Sequence, residues 1–304
     1  MVFLFSRVLQ SVLVLWLVGT IAFAGLHLTG DPIALLSAED ATPLERQALR
    51  QAYGLEQPVF IQYLIFLSNA VSGNLGNSFY SPRPAMYLLI ERLPATLLLV
   101  LIGLSLAMCL GIPLGIYCAA RVGSKLDSTV QTLSSLLLSA PTFWIGILLI
   151  QIFAVNWRLL PSQGSGTLAH LILPAITLAL PRAAVYTQIL RLQLLEVLGQ
   201  GFIRTARAKG VFERRVLYHH ALKNALIPFV TVFGMQLAGL LSGAVIVENL
   251  FAYPGMNRVA LDAINRLDMP VILAFVLLSA LVYAVVNLLT DISYGLIDPR
   301  VRYE

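Results

Sequence analysis

The stretch LPATLLLVLIGLSLAMCLGIPLGIYCAA at residues 93–120 decides the fold, because it is strongly apolar and contains no Asp, Glu, Lys or Arg. A helix needs about 20 mostly apolar residues to cross a bilayer, and this stretch is longer than that. Five further stretches share its length and its lack of charge: Val8–Gly30, Ser128–Trp157, Leu159–Pro181, Asn224–Val247 and Met269–Thr290. The sequence therefore predicts an all-α polytopic membrane protein with six transmembrane helices.

The bounds of the fourth stretch and the nature of the first depend on further features of their sequences. Residues Leu159–Thr167 contain a proline and several Ser and Gly residues, which are typical of a loop, so the fourth helix is expected to begin later and to continue past Arg182 to about Leu190. The first stretch follows Arg7 and includes Ala22-Phe23-Ala24, a pattern that also resembles a secretory signal. Its uncharged run exceeds the about 7–15 residues of a signal's apolar region, which favours a retained helix.

The composition of the whole chain supports a membrane protein. Of its 304 residues, 58% are hydrophobic and only 12% are charged, whereas soluble domains carry about 25% charged residues. An ordinary soluble enzyme and a disordered chain are both excluded. The net charge of +5 fits the excess of basic residues in cytoplasmic loops better than it fits nucleic-acid binding. With both termini placed in the cytoplasm, twelve Lys and Arg residues fall inside and seven fall on longer outer segments.

The predicted spans divide the chain into three segments. Residues 1–28 hold the N-terminus and the first transmembrane helix, and residues 29–93 form an outer segment with a helix predicted at Pro43–Tyr53. Residues 94–304 form a core of five helices, interrupted by a basic cytoplasmic loop at residues 191–223. The two cysteines, Cys109 and Cys118, form no metal-binding motif and are interpreted as small apolar side chains.

Sequence motifs for catalysis are lacking. There is no GxxxxGK[ST] phosphate-binding loop and no HExxH, and the histidines have no ligand spacing, so neither catalysis nor a metal site is expected in this chain. An intramembrane enzyme and a membrane-anchored adaptor remain as alternatives to a transporter subunit. Co-purification with an ATPase would separate the transporter subunit from both.

Polar residues inside predicted spans are candidates for a pore, since their burial in lipid is costly. Arg182 is the strongest, because it lies in the fourth span directly after Pro181 and shortly after Pro174. Either Arg182 lies near a substrate path or gate, or its side chain extends to the cytoplasmic surface or pairs with a partner subunit. Gln188 and Gln236 are further pore candidates, although such residues also form hydrogen bonds between helices. The GxxxG pairs Gly111/Gly115 and Gly239/Gly243 suit close helix packing.

The cytoplasmic loop contains the run FIRTARAKGV at residues 202–211. Its alanines are small and Gly210 lacks a side chain, so a short helix here is expected to end at a glycine cap and to present a close-approach surface. Basic residues surround that surface. It is either an amphipathic helix on anionic lipid or a docking site for a cytoplasmic partner.

At this loop the sequence resembles the inner-membrane permeases of binding-protein-dependent ABC importers, in particular the peptide/nickel branch. Residues Arg204–Gly210 are similar to that branch's form of the family's EAA coupling loop. Further similar motifs are spread along nearly the whole chain: Gly30-Asp31-Pro32, Pro141–Trp144, Leu160-Pro161, Leu173–Ala175, Val247–Phe251, Pro254-Gly255 and Asp298–Arg300. The outer-loop residues Met256-Asn257 and Leu267–Pro270 depart from the usual pattern.

The resemblance implies a non-catalytic permease subunit with the type I ABC importer fold in the bacterial inner membrane. It implies four partners: a second, homologous permease that completes the pore, two ATPase subunits that bind ATP and Mg²⁺, an extracytoplasmic solute-binding protein and the lipid bilayer. Cargo is expected to be a di- or oligopeptide, with nickel, a metal chelate or glutathione as alternatives.

The resemblance also implies two contact surfaces. The ATPase-coupling residues are Arg204, Thr205, Ala206, Arg207, Ala208, Lys209, Gly210, Glu213 and Arg214. The residues expected to contact the binding protein are Asp31, Glu248, Tyr253, Arg258 and Asp268.

Overall fold

The computed structural model describes residues 2–28, 44, 47 and 56–297. Within these ranges, residues 2–5, 26–28, 227, 230–232, 234–242 and 293–297 are described by their backbone only. The described part of the chain is built from helices, in this order: α1 (Val2–Leu28), α2 (Val59–Ser72), α3 (Ala85–Ala120), α4 (Lys125–Ser139), α5 (Thr142–Leu149), α6 (Ala169–Leu198), α7 (Gly201–Ala208), α8 (Glu213–Arg215), α9 (Leu222–Leu250), α10 (Met256–Arg266) and α11 (Met269–Ile297). Two π-helical segments follow α5 and α8, at Ile150–Asn156 and Val216–Ala221.

Within the part of the chain that the structure describes, four helices are long and apolar enough to cross a membrane. They are α1, α3, α6 and α11, and they coincide with the first, second, fourth and sixth predicted spans. The fifth predicted span overlaps α9, part of which is described by its backbone only. The total of six spans, and the cytoplasmic position of both termini, therefore stay predictions.

The third predicted span, Ser128–Trp157, is not one straight helix. The chain forms α4 and then α5 with its π-helical extension, and the two parts are bent by 109°. The break lies at Ala140, whose backbone is extended, with φ −83° and ψ 133°. Proline at position 141 explains this, since it disfavours helical geometry in the residue before it. The segment is thus a broken span or a re-entrant loop.

Helix α6 confirms one predicted boundary and corrects another. It begins at Ala169, so Leu159–Thr167 precede the helix as expected, and it continues past Arg182. It ends only at Leu198, so Arg191 belongs to this helix and not to the loop that was predicted to start there. In the outer segment, α2 was not anticipated, and the helix predicted at Pro43–Tyr53 lies almost entirely outside the described residues.

The chain divides into two compact units, each built from separate stretches of sequence. The first contains Met1–Pro94 and Gly255–Leu288. Its described core packs the start of α3 against α10 and α11, with Leu89, Met256 and Ala274 fully or almost fully buried. The second contains Ala95–Pro254 and Leu289–Glu304, and it holds all of the predicted coupling and pore residues.

In the second unit, α3 packs closely on α6 through two glycines. A Cβ atom added at Gly111 would lie only 2.8 Å from the backbone oxygen of Ala183, and one added at Gly115 would lie 3.0 Å from the backbone oxygen of Thr187. The Gly111/Gly115 pair therefore serves the close packing expected from its GxxxG spacing. Helix α9 packs on another face of α6, where the ring of Tyr186 contacts two phenylalanine rings.

Candidate coupling surface and pore residues

The run Arg204–Gly210 lies on and just after the short helix α7, which is attached to the bundle by one side. Ile203 is completely buried in the main core cluster, and Ala206 packs against the same cluster. The side chains of Arg204, Thr205 and Arg207 are exposed. The apolar face therefore fixes this helix to the bundle. Its opposite, basic face is left available for contact.

Helix α7 ends in a glycine motif that closes its last turn. Gly210 has a left-handed backbone with φ +77°, a conformation that costs residues with a Cβ about 1–2 kcal/mol. Its N–H donates to the Arg207 carbonyl at 2.9 Å, and the Val211 N–H donates to the Ala206 carbonyl at 3.2 Å. This is the paired hydrogen-bond pattern of a Schellman cap. The glycine cap predicted from the sequence is therefore confirmed.

An exposed ion pair joins the two sides of this cap. Arg207 donates from Nε to Oε2 of Glu213 at 3.0 Å, and its Nη2 group contacts the other carboxylate oxygen. The hydrogen bonds from Arg207 hold the pKa of Glu213 below its usual range and raise the pKa of Arg207. Both groups are ionised near neutral pH. The pair therefore aligns the end of α7 with the beginning of α8.

Next to this ion pair lies an aromatic and basic surface, of which only Arg214 is among the predicted coupling residues. Phe212 is 85% exposed and Tyr218 is 52% exposed. With Arg214 and Arg215 they line an open depression of about 640 Å³. Exposed aromatic side chains beside arginines are typical of protein contact surfaces. Phe212 offered a signal in the sequence, because it is a large aromatic residue directly before the charged run Glu213-Arg214-Arg215.

A buried ion pair connects α6 to the start of α4. Arg191 donates to both oxygens of Asp127, at 2.8 and 2.9 Å. Asp127 also accepts the Gly123 N–H at 3.0 Å, and its own N–H donates to the Ser124 hydroxyl, which caps α4. The arrangement fixes the turn before α4 against α6. The sequence does not predict this pair, since 64 residues separate its members.

The predicted pore residues fall on α6 and α9. Arg182 is half-buried near the middle of α6, and a Cβ atom added at Gly243 of α9 would lie 4.0 Å from its Nη2. Gln188 is half-buried one and a half turns further along α6. The side chain of Gln236 lies outside the described residues. The structure thus places Arg182 at the contact between α6 and α9 without showing a pore.

Two of the residues predicted to contact a binding protein are buried at the end of α9. Glu248 is completely buried and accepts a hydrogen bond from the Thr96 hydroxyl at 2.6 Å. The backbone N–H of Tyr253 donates to the Glu248 carbonyl at 2.8 Å, and the Tyr253 side chain is also buried, which raises the pKa of its phenol. In this structure the Glu248 side chain ties the end of α9 to α3, and the Tyr253 side chain packs into the neighbouring core.

Of the other three residues predicted to contact a binding protein, one is buried, one is half-buried and one lies outside the described residues. Asp268 is buried and accepts hydrogen bonds from the Ser78 hydroxyl and the Phe79 N–H. It therefore pins the segment before α3 to the α10–α11 turn. Arg258 is half-buried on α10. Asp31 lies outside the described residues. Of the four that are described, Arg258 alone has a partly exposed side chain.

Comparisons with known proteins match nearly the whole length of the chain. The family model described as a binding-protein-dependent transport system inner membrane component matches residues 111–303. A second model, for the N-terminal part of such membrane components, matches residues 1–100. Together these matches include the coupling segment, the proposed pore residues and the outer loop.

The relatives are transport permeases of similar length. The chain is 38% identical to the oligopeptide transport system permease protein AppB of Bacillus subtilis, over 99% of both chains. It is 37% identical to a probable peptide ABC transporter permease of Sinorhizobium fredii and to the glutathione transport system permease protein GsiC of Escherichia coli K12, again over 99% of each chain.

Solved structures with the same fold have low sequence identity with this chain. One is an inward-facing conformation of the MetNI methionine ABC transporter, with 19% identity and a TM-score of 0.61, covering 72% of this chain and 100% of that chain. Another is an amino acid ABC transporter, with 16% identity and a TM-score of 0.54, covering 70% of this chain and 94% of that chain. At these identities the likeness shows the fold alone.

Proposed function

Because this chain belongs to the family of binding-protein-dependent transport system inner membrane components, we propose that it is a permease subunit that imports di- or oligopeptides. The family and the apolar helices define a multi-pass inner-membrane protein with the type I ABC importer permease fold. Such a permease is a non-catalytic subunit that works with an ATPase and a substrate-binding protein. In our proposal it forms half of a pore with a second, homologous permease, and two ATPase subunits bind the ATP and Mg²⁺.

The geometry of α7 is the observation that carries this proposal. Movement driven by ATP hydrolysis has to reach the membrane helices through a rigid contact, and α7 is fixed to the bundle by the buried Ile203. Its exposed face holds Arg204 and Lys209, and the Phe212 side chain projects beside it. We assign the surface from Arg204 to Arg214 to ATPase docking.

The relatives support a peptide as cargo. The two proteins first described above are named as an oligopeptide permease and a probable peptide permease. Glutathione is a second candidate, because a glutathione transport permease is almost as similar to this chain. In both cases Arg182, Gln188 and Gln236 are proposed to lie along the transport route, with the external binding protein supplying most of the selectivity.

Substitution of Gly210 by Arg tests the docking proposal. The change adds a bulky cation and forces a strained backbone at the end of α7, so ATP-dependent uptake of trialanine into proteoliposomes should fall at least tenfold. Stimulation of ATP hydrolysis by the loaded binding protein should be lost as well. Gly73→Arg is the matched control, since Gly73 has a similar φ of +73° and equally open surroundings.

The two variants together make the outcome decisive. If Gly210→Arg retained normal uptake and stimulated ATP turnover, α7 would not be the coupling contact. If Gly73→Arg lost activity to the same extent, the effect would come from backbone strain and not from docking. Size-exclusion chromatography checks that both variants still assemble into the complex.

A further inference from the structure

The depression lined by Phe212, Arg214, Arg215 and Tyr218 extends past the predicted coupling residues, which end at Arg214. Its volume of about 640 Å³ is that of a small-molecule pocket, about 300–1,000 Å³. Such pockets enclose most of their ligand, whereas this depression is open and its Phe212 side chain is 85% exposed. The shape therefore fits a side chain presented by another protein better than it fits a free small molecule.

The backbone that carries Phe212 is held on both sides. The Phe212 carbonyl accepts the N–H groups of Arg215 at 2.8 Å and of Val216 at 3.0 Å, and Val216 is completely buried. Next to Phe212, Glu213 accepts the hydrogen bond from Arg207 Nε at 3.0 Å. A surface whose shape exists before binding loses less conformational entropy when a partner docks.

The segment around the depression is strongly basic. Residues 201–223 contain one acidic residue, Glu213, and six basic ones: Arg204, Arg207, Lys209, Arg214, Arg215 and Lys223. Arg214 and Arg215 are both exposed. Protein interfaces are electrostatically complementary, so a positive surface is expected to meet a negative one. A partner that docks here is therefore expected to present carboxylates.

Anionic lipid is the other negatively charged surface near a membrane protein, and the geometry of α7 disfavours it. A helix that lies on a membrane inserts its apolar face among the lipids, whereas α7 buries Ile203 completely in the core of its own chain. Helix α6 also continues for seven residues beyond Arg191, or about 10 Å, before the chain turns into α7. The depression therefore favours a protein partner.

We propose that the ATPase subunit docked on α7 inserts an acidic side chain into this depression, where Arg214 and Arg215 bind its carboxylate. This inference rests on the proposed function and extends the docking surface beyond Arg214. An arginine guanidinium can form two parallel hydrogen bonds with a carboxylate. The rings of Phe212 and Tyr218 shield the contact from water, which strengthens it.

The affinity of the permease for the ATPase tests this proposal. The permease is reconstituted with its partner permease in nanodiscs, and binding of the purified ATPase subunits is titrated. Arg215→Gln and Phe212→Ala should each weaken binding about tenfold, as expected for a charged contact and an aromatic anchor within an interface. Lys125→Gln and Phe60→Ala are the matched controls, because they remove an exposed cation and an exposed phenylalanine outside the depression. Each control should change the affinity less than about twofold.

Two further measurements identify the carboxylate. Between about 0.05 and 0.5 M salt, the affinities of the wild type and of Phe212→Ala should fall with similar slopes, and Arg214→Gln combined with Arg215→Gln should give a smaller slope. A carbodiimide joins an amine to a carboxylate in direct contact, so it should link the ATPase to the lysine introduced by Arg215→Lys. Mass spectrometry then identifies the acidic residue of the ATPase. Arg215→Gln has no amine at this position and should give no such product.

The outcomes separate this acidic contact from docking by α7 itself. If Gly210→Arg weakened ATPase binding while Arg215→Gln and Phe212→Ala did not, docking by α7 would stand and the acidic contact would be overturned. If none of the three variants weakened binding, both would be overturned. An equal loss in Lys125→Gln would show a general effect of charge and contradict the acidic contact. A loss seen only in nanodiscs that contain phosphatidylglycerol, and not in phosphatidylcholine alone, would reassign the depression to an anionic lipid headgroup.

Discussion

Two ion pairs in the second unit use the same chemistry in opposite environments. In each, an arginine meets both oxygens of a carboxylate. The side chains of Arg191 and Asp127 are 18% and 4% exposed, whereas those of Arg207 and Glu213 are 43% and 66% exposed. The buried pair joins residues 64 positions apart on two helices, and the exposed pair joins residues six positions apart around one turn.

The difference in exposure determines what each pair can contribute. Water and salt screen an exposed pair, which typically contributes less than about 1 kcal/mol. A buried pair has little water to replace a missing partner, so removing one member leaves an uncompensated charge. We infer that α7 is held mainly by apolar packing of Ile203, and that the position of α4 against α6 depends on its ion pair.

The largest effect is expected from Asp127→Ala. The change leaves the partly buried Arg191 charge without its partner and removes the acceptor for the Gly123 N–H, so the free energy of unfolding should fall by about 2–4 kcal/mol. Circular dichroism during a guanidinium titration of the purified protein in detergent measures this free energy. The exposed Asp262 supplies a matched Asp→Ala control. An unchanged free energy of unfolding would show that the pair does not hold α4 to α6.

A pair of double-mutant cycles sharpens the comparison. Asp127→Asn combined with Arg191→Gln should show a coupling energy of about 1–3 kcal/mol, because both buried charges disappear together. Arg207→Gln combined with Glu213→Gln should show less than about 1 kcal/mol, and this small value should decrease further in about 1 M salt. The free energy of unfolding of every variant is measured by the same guanidinium titration. Similar coupling energies in the two cycles would contradict the role assigned to burial.

The smallest effect is expected from pH at the exposed pair. Arg207 lowers the pKa of Glu213, so the pair's contribution is fully present above the ordinary Glu pKa and is lost as the pH falls through the lower folded-state value. The difference in stability between wild type and Glu213→Gln should therefore be constant from about pH 8 to pH 5 and should shrink only in more acidic solution. A difference that disappeared near pH 6 would be inconsistent with this shift.

Several features could be predicted from sequence because they depend on local chemistry. The apolar stretches that become α3, α6 and α11 are recognisable from hydropathy alone. The cap at Gly210 follows from a residue that tolerates a left-handed backbone at the end of a short helix. The break at Ala140 is also encoded locally, by the proline that follows it, although the length of the apolar stretch predicts one continuous span.

Other features could not be predicted because they depend on residues distant in the chain. Glu248 and Asp268 are charged residues of the predicted outer loop, where an exposed side chain is expected. Both are buried, and each accepts a hydrogen bond from a distant segment: Glu248 from Thr96, and Asp268 from Phe79. Their burial removes them from direct contact with an outer protein in this structure. Nothing in the neighbouring sequence marks those partners.

The sequence by itself determined the membrane class, the position of the proposed coupling segment and the presence of a cation within the fourth span. These follow from hydropathy, charge and backbone preference, which act over a few consecutive residues. Only the tertiary structure decided that Asp127 meets Arg191, that Glu248 lies inside the chain and that Arg182 faces Gly243. Burial of a polar group depends on which distant segment supplies its hydrogen bonds, and that choice is made only when the helices pack.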